Sequence, residues 1–347
     1  MANDPKRTTI AQIAQAAGVS KMTVSRALSN HKWVAEPTRK RIQKLAETMG
    51  YQPDPALSAL SAYRQKKRAH IYHSTLALVI DEPRKGLRTR RNLRDQILLR
   101  GAQEHARKLG YEVEIFRVGT TKRQQKRLSD VLYARGIRGL LLATGECRQE
   151  SLAFDWNRFV SVCVARNPGF PYFHAVSFNF YHAAMQLLKN IWQLGYRRPG
   201  FMYDEGAARA TEYQEVAAYD HFSRKMGIDK VPFCNYTDAF NKRKQFFSWL
   251  GDHQVDVLIA TEDTPLQLIR ERGWTVPKDI GYASSRIPRT SNTISGVKRD
   301  VGHLGRVAVD ILSSIIQRNE IGKPKLPYGI QIESEWVKGT TLIQQRT

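Results

Sequence analysis

Between Thr9 and Met49 the apolar residues recur at helical spacing and are interrupted by tight-turn signals. Ile10, Ile13, Ala14 and Ala17 form one stripe, opened by Thr9 as a helix N-cap. Gly18 permits a turn, Val19 drops inward, and Ser20 caps a second helix whose inner face is Val24, Ala27 and Leu28. The small residues Ala14 and Ala17 let the two helices approach closely. A third helix is predicted from about Pro37 to Met49, with Ile42, Leu45, Ala46 and Met49 inward and Gly50 as its stop. One helix, one tight turn and a second capped helix make a helix-turn-helix arrangement.

From Ser74 the pattern changes. STLALVID (74–81), YEVEIF (111–116), GLLLA (139–143), FVSVCVA (159–165), PGFMY (199–203) and VDVLIA (255–260) are short apolar runs rich in β-branched residues. Amphipathic helical stretches lie between them, among them 94–109 and about 181–194. Alternation of this kind implies parallel sheets with right-handed crossovers, and about 270 residues of it suffice for two doubly wound lobes. Ligands of such sheets sit at the carboxyl ends of the strands, so a cleft between lobes is the expected pocket. The resulting division is a headpiece at 1–50, a linker with a short helix at 51–73, and a two-lobed core at 74–347.

Charge sharpens this picture. The chain carries 55 Lys and Arg against 32 Asp and Glu, a formal net charge of +23. Residues 1–70 hold 13 basic and 4 acidic side chains, about twice the net density of the remainder. Such a balance favours a polyanionic partner, nucleic acid being the commonest. The segment 84–100, with seven basic residues and one acid, reads first as a solvated basic loop beyond the first core strand, with contact to DNA or to an anionic effector at the pocket mouth as the other readings.

Other classes find little support. No apolar run approaches the roughly 20 residues a bilayer requires. The first residues show no secretory pattern, and Cys147, Cys163 and Cys234 lack disulfide-framework or metal-ligand spacing, so a cytoplasmic chain with reduced core thiols is expected. Nucleophile-elbow, phosphate-loop, zinc-protease and dinucleotide fingerprints are missing. No catalytic residues, metal ligands or cofactor are assigned.

The second headpiece helix is the one expected in a DNA major groove. Its outward residues Lys21, Met22, Ser25 and Arg26 combine donors for guanine acceptors with an apolar group for a thymine methyl. Thr9, Ser20, Thr23 and Ser25 supply short hydroxyls suited to capping or phosphate contact.

The string TIAQIAQAAGVSKMTVSRAL, continued by VAEPTRKRIQKLAETMGYQPD, resembles the lac-repressor/galactose-repressor family of bacterial transcription regulators. The resemblance implies a helix-turn-helix headpiece, a hinge helix and a two-lobed core like that of periplasmic sugar-binding proteins. It further implies a homodimer on a pseudo-palindromic operator, controlled by a small molecule in the interlobe cleft. A carbohydrate effector is one implication, and an effector-independent or non-sugar-responsive regulator stays open. Ser29 and Trp33 join the DNA-contacting set, packing on the headpiece core being the other reading of Trp33. Leu60 aligns with the residue that wedges into the minor groove, packing between subunits being the other reading.

Departures from the family are visible. Gln12 stands where an acid is common, and Ala35 replaces a capping hydroxyl. In the core, Glu215 stands where many sugar-responsive relatives carry an arginine, Asn179 replaces an aspartate, and Glu262-Asp263 replaces an Asn-Asp pair. Asn179, Glu215, Asp263 and Arg299 are the candidate effector contacts, with a structural role equally open for each.

Overall fold

A computed structural model describes residues 8–28, 34–51, 74–81, 88–143, 152–164, 173–228, 231–235, 242–261, 263–288 and 291–345. The chain divides into two compact units, Met1–His73 with Ser314–Glu320, and Ser74–Ser313 with Ile321–Thr347.

Among its described residues the first unit holds the helices α1 (Ile10–Ala17), α2 (Lys21–Leu28) and α3 (Glu36–Thr48). Ile13, Ala14, Val24, Ala27, Val34, Ile42 and Ala46 form its core. Gly18 sits at φ 65°, in the left-handed region the tight turn demands. The unsatisfied C-terminal carbonyls of the first two helices are met by the third. Arg41 Nη2 donates to Ala17 O at 3.0 Å, and Gln43 Nε2 to Ala27 O at 3.2 Å. Thr8 Oγ1 donates to Met49 O at 2.7 Å and ties the chain start to the end of α3.

The second unit contains two six-stranded sheets. The first has the order β11-β5-β4-β3-β1-β2, built from Ser74–Asp81 (β1), Tyr111–Val118 (β2), Gly139–Leu142 (β3), Val160–Val164 (β4), His174–Phe178 (β5) and Gly329–Ile332 (β11), all in parallel. The second has the order β12-β10-β9-β8-β6-β7, built from Pro199–Tyr203 (β6), Cys234–Asn235 (β7), Val257–Ala260 (β8), Gly281–Ser284 (β9), Ser295–Lys298 (β10) and Glu335–Val337 (β12). Its strands are parallel except for β12, which runs against β10. Strands buried on both faces read as continuous apolar runs, which is why STLALVID and VDVLIA stand out in the sequence.

The chain passes between the sheets three times. After β5 it enters the helix Phe180–Gln193, which packs on the second sheet. It returns after β10 through Val301–Arg318, and crosses again between β11 and β12. The remaining α-helices among the described residues are Arg88–Lys108, Lys122–Ala134, Glu205–Ala210, Gln214–Met226, Arg243–Asp252 and Thr264–Glu271. In chain order the helices after α3 are therefore α4 (88–108), α5 (122–134), α6 (180–193), α7 (205–210), α8 (214–226), α9 (243–252), α10 (264–271) and α11 (301–318).

The helix expected at 94–109 starts earlier, as α4, so residues 88–93 of the basic segment are helical rather than loop. Arginine and leucine are good helix formers, and the charge count hid that propensity. Cys163 lies in the core, where burial pushes its thiol up to about 12, and Cys234 is half-buried.

Helices α4 and α11 meet backbone to backbone. A Cβ built on Gly101 would stand 2.1 Å from Gly302 O, and one on Gly305 would stand 2.5 Å from Leu98 O. Neither neighbour is a side chain that can turn away. Gly101→Ala is therefore expected to destabilise this unit by about 1–3 kcal/mol, seen as a lower urea midpoint at unchanged slope. An unaltered midpoint would show that the crossing has slack.

Candidate DNA-reading surface and core pocket

Each helix of the helix-turn-helix is fixed at its start by a hydroxyl. Thr9 forms a capping box: its Oγ1 accepts from Gln12 N at 3.4 Å, and Gln12 Oε1 accepts from Thr9 N at 2.8 Å. Gln12 does here what an acidic residue would do. Ser20 Oγ accepts from Thr23 N at 3.1 Å and lies 2.9 Å from Thr23 Oγ1. Thr9, Ser20 and Thr23 thus hold the helix starts. α3 begins at Ala35 with no side-chain cap, and Pro37 in its first turn partly stands in for one.

With Val24 and Ala27 turned into the core, α2 presents Lys21, Met22, Ser25 and Arg26 outward. Met22, Ser25 and Arg26 share one face at i, i+3 and i+4 spacing. Met22 is 60 % exposed, so its apolar end is open to a partner. The surface therefore offers cations, a hydroxyl and an apolar group on a rigid, capped helix. Ser29, Trp33 and Leu60 lie outside the described residues, as does Cys147.

In the second unit, Asn179 N-caps α6 through an Oδ1 that accepts from His182 N at 3.1 Å. Its Nδ2 donates to Glu333 Oε1 at 2.8 Å, and His182 Nδ1 lies 2.8 Å from Glu333 Oε2. Glu333 stands between β11 and β12, so two of the three crossovers are joined here. Arg299, at the third, pairs with Glu215 of the first turn of α8, and its guanidinium lies over the Phe180 ring at 4.6 Å.

Arg299 and Glu215 are mostly buried, with side-chain exposures of 8 % and 18 %. Burial pulls the Arg299 guanidinium below the usual arginine range, Glu215 holds it up, and Arg286 pushes it down. Arg299 Nε is buried without a hydrogen-bond partner.

Glu215 also lines a pocket at the carboxyl ends of β6 and β8, together with Tyr203, Asp204, Tyr213 and Thr261. Asp204 caps α7, accepting from Ala207 N at 2.7 Å, and Tyr213 Oη donates to Glu205 at 2.6 Å. Glu212 and Tyr213 both adopt positive φ, 53° and 55°, so the backbone between α7 and α8 is held in a costly conformation at the pocket wall. Asp263 precedes α10 without capping it. Of the four candidate contacts, the structure brings Glu215 and Arg299 together. Asn179 joins the Glu333 crossover, and Asp263 stands apart at the start of α10. Tyr203, Asp204, Tyr213 and Thr261 carry no motif, and only their place at strand ends could have flagged them. Among the described residues, no group of three or more His, Cys, Asp or Glu is placed to hold a metal ion, and no helix is long and apolar enough to cross a membrane.

Residues 9–54 match the family described as "Bacterial regulatory proteins, lacI family". The chain is similar to the HTH-type transcriptional regulator KdgR of Bacillus subtilis (strain 168), at 22 % identity over 96 % of this chain and 98 % of that protein. Its fold is that of a transcriptional regulator CelR–cellobiose complex (TM-score 0.58, 17 % identity, 96 % of this chain and 100 % of that one). A lac repressor dimer bound to operator and the anti-inducer ONPF superposes equally well (TM-score 0.58, 16 % identity, 97 % and 100 %). The resemblance read from the headpiece is borne out: residues 9–54 are a lacI-family helix-turn-helix, and the chain is a DNA-binding transcription regulator with a periplasmic-binding-protein-like α/β fold.

Proposed function

We propose that this lacI-family regulator is a repressor that binds a pseudo-palindromic operator as a homodimer and answers to a small molecule held in its two-sheet core. The observation that carries the DNA reading is the outward face of α2, where Lys21, Met22, Ser25 and Arg26 stand together on a helix fixed by the Ser20 cap. Arginine and lysine suit guanine O6 and N7, and a methionine suits the thymine methyl. Ser29 and Trp33 belong to the same proposed DNA-contacting set, with Leu60 as the proposed minor-groove wedge. The related operator-bound lac repressor dimer supports the dimeric arrangement.

The effector reading rests on the pocket at the β6 and β8 ends, on Glu215 and Arg299, and on the relative whose structure holds cellobiose. Asn179 and Asp263 belong to the same proposed set. Effector and operator would then be reciprocally linked, each changing the other's affinity by the same factor.

Arg26→Ala is expected to lower affinity for a selected operator by roughly 10- to 100-fold, the 1–3 kcal/mol of one base contact. Fluorescence anisotropy at fixed salt measures it, because phosphate contacts make affinity salt-dependent. An unchanged dissociation constant would overturn the assignment of α2 as the reading helix.

A further inference from the structure

We infer that the small molecule taken by the core pocket carries a carboxylate, which replaces Glu215 on the Arg299 guanidinium. This rests on the effector reading above and names the chemical class of its ligand. An arginine presents five N–H donors in a rigid plane. Nε–H and one Nη2–H lie along the same edge, spaced to meet both oxygens of one carboxylate. In this structure only half of that edge is used. Glu215 Oε1 takes Nη2, the face of the guanidinium lies over the Phe180 ring, and Nε is buried with nothing to donate to. A buried donor on a charged group is expensive to leave unpaired, so the fork is built for two oxygens and holds one.

Glu215 can yield the position. It both pairs with Arg299 and lines the pocket, in the first turn of α8, where the helix N-terminus stabilises a free carboxylate. The charge then decides the ligand. A neutral molecule that pushed Glu215 aside would leave the Arg299 cation buried without a counter-charge, a costly state. A carboxylate supplies the counter-charge and fills the Nε vacancy in the same step. Arg286, near enough to act on Arg299, adds positive potential in favour of an anion. Tyr203, Tyr213 and Thr261 on the pocket wall suit hydroxyl groups on the rest of the molecule.

The test compares ligands that differ in the acid group alone, on the full-length protein by calorimetric titration and thermal shift. The pairs are D-gluconate with D-glucitol and D-galacturonate with D-galactose, with inorganic phosphate as a non-carboxylate anion. At least one carboxylate is expected to bind and its neutral partner not. Arg299→Lys, which removes the planar fork, should weaken that binding by about 10- to 100-fold, the loss of a charge-assisted hydrogen bond. Glu215→Gln, which keeps the shape but lowers the competition, should tighten it. Equal binding of a neutral partner, binding of phosphate alone, or indifference to both substitutions overturns the carboxylate assignment. If neutral sugars bind and shift operator affinity, the effector pocket stands without it. If nothing in the series binds, the carboxylate assignment falls, and operator affinity unmoved by every compound also removes the effector reading.

Discussion

Replacing Ile42 with alanine is expected to abolish DNA binding while the two-sheet unit stays folded. Ile42 is fully buried at the centre of a core of seven residues contributed by α1, α2, α3 and Val34. Truncating a buried isoleucine costs about 2–5 kcal/mol in lost transfer energy and residual cavity. A unit of some 50 residues has only a few kcal/mol to lose, because small domains bury a smaller share of their surface. The substitution therefore consumes most or all of the headpiece's stability. Circular dichroism should show the loss of three short helices, with a calorimetric transition for the larger unit preserved. Anisotropy should show operator affinity down by more than about 100-fold, the equivalent of 3 kcal/mol. Arg26→Ala differs in kind, since it keeps the helices and removes one contact. Full affinity in the Ile42 variant would mean that α3 does not support α2 as its packing indicates.

Glu215→Ala should destabilise the larger unit by about 3–5 kcal/mol. It strands the buried Arg299 charge, and breaking one side of a buried pair costs more than the pair itself contributes. The companion variant separates the two effects. Replacing both partners with apolar groups, as in Glu215→Leu with Arg299→Met, removes the stranded charge and should return most of the lost stability. Urea unfolding of both variants and the parent measures this as a double-mutant cycle. If the single and double variants unfold alike, the cost comes from lost packing at α8 and not from the ion pair.

The headpiece was legible because its determinants are local. Thr9, Gly18 and Ser20 each act on residues one to three positions away, so cap, turn and cap can be read in a line, and the structure places all three there. Strands such as 74–81 and 199–203 were legible for a related reason: burial on both faces leaves an apolar run of the right length. The pairing of Glu215 with Arg299 was not, because the two lie 84 positions apart and meet only through the order in which the second sheet is assembled. Both stood among the candidates, but as separate polar residues whose opposite charges had no stated relation. The basic segment misled for another reason. Its charges point to solvent and loop, whereas backbone propensity, which charge does not report, favours the helix found from residue 88 onward. Gln12 looked like a departure from the family, yet it completes the Thr9 capping box, since the box needs only an acceptor at that position.

The Gly101–Gly302 crossing bears on how the two sheets can move. α11 starts immediately after the chain leaves the second sheet, and α4 packs beside β2 of the first. Where helices touch through interdigitated side chains, small rotamer changes let one slide over the other, the basis of shear motion. Here a Cβ at Gly101 or Gly305 would meet the backbone of the other helix, at Gly302 O or Leu98 O, so peptide packs on peptide at both points. Sliding would drive carbonyl oxygens into the opposing backbone, whereas turning about the contact point meets no ridge. The crossing is thus a fulcrum.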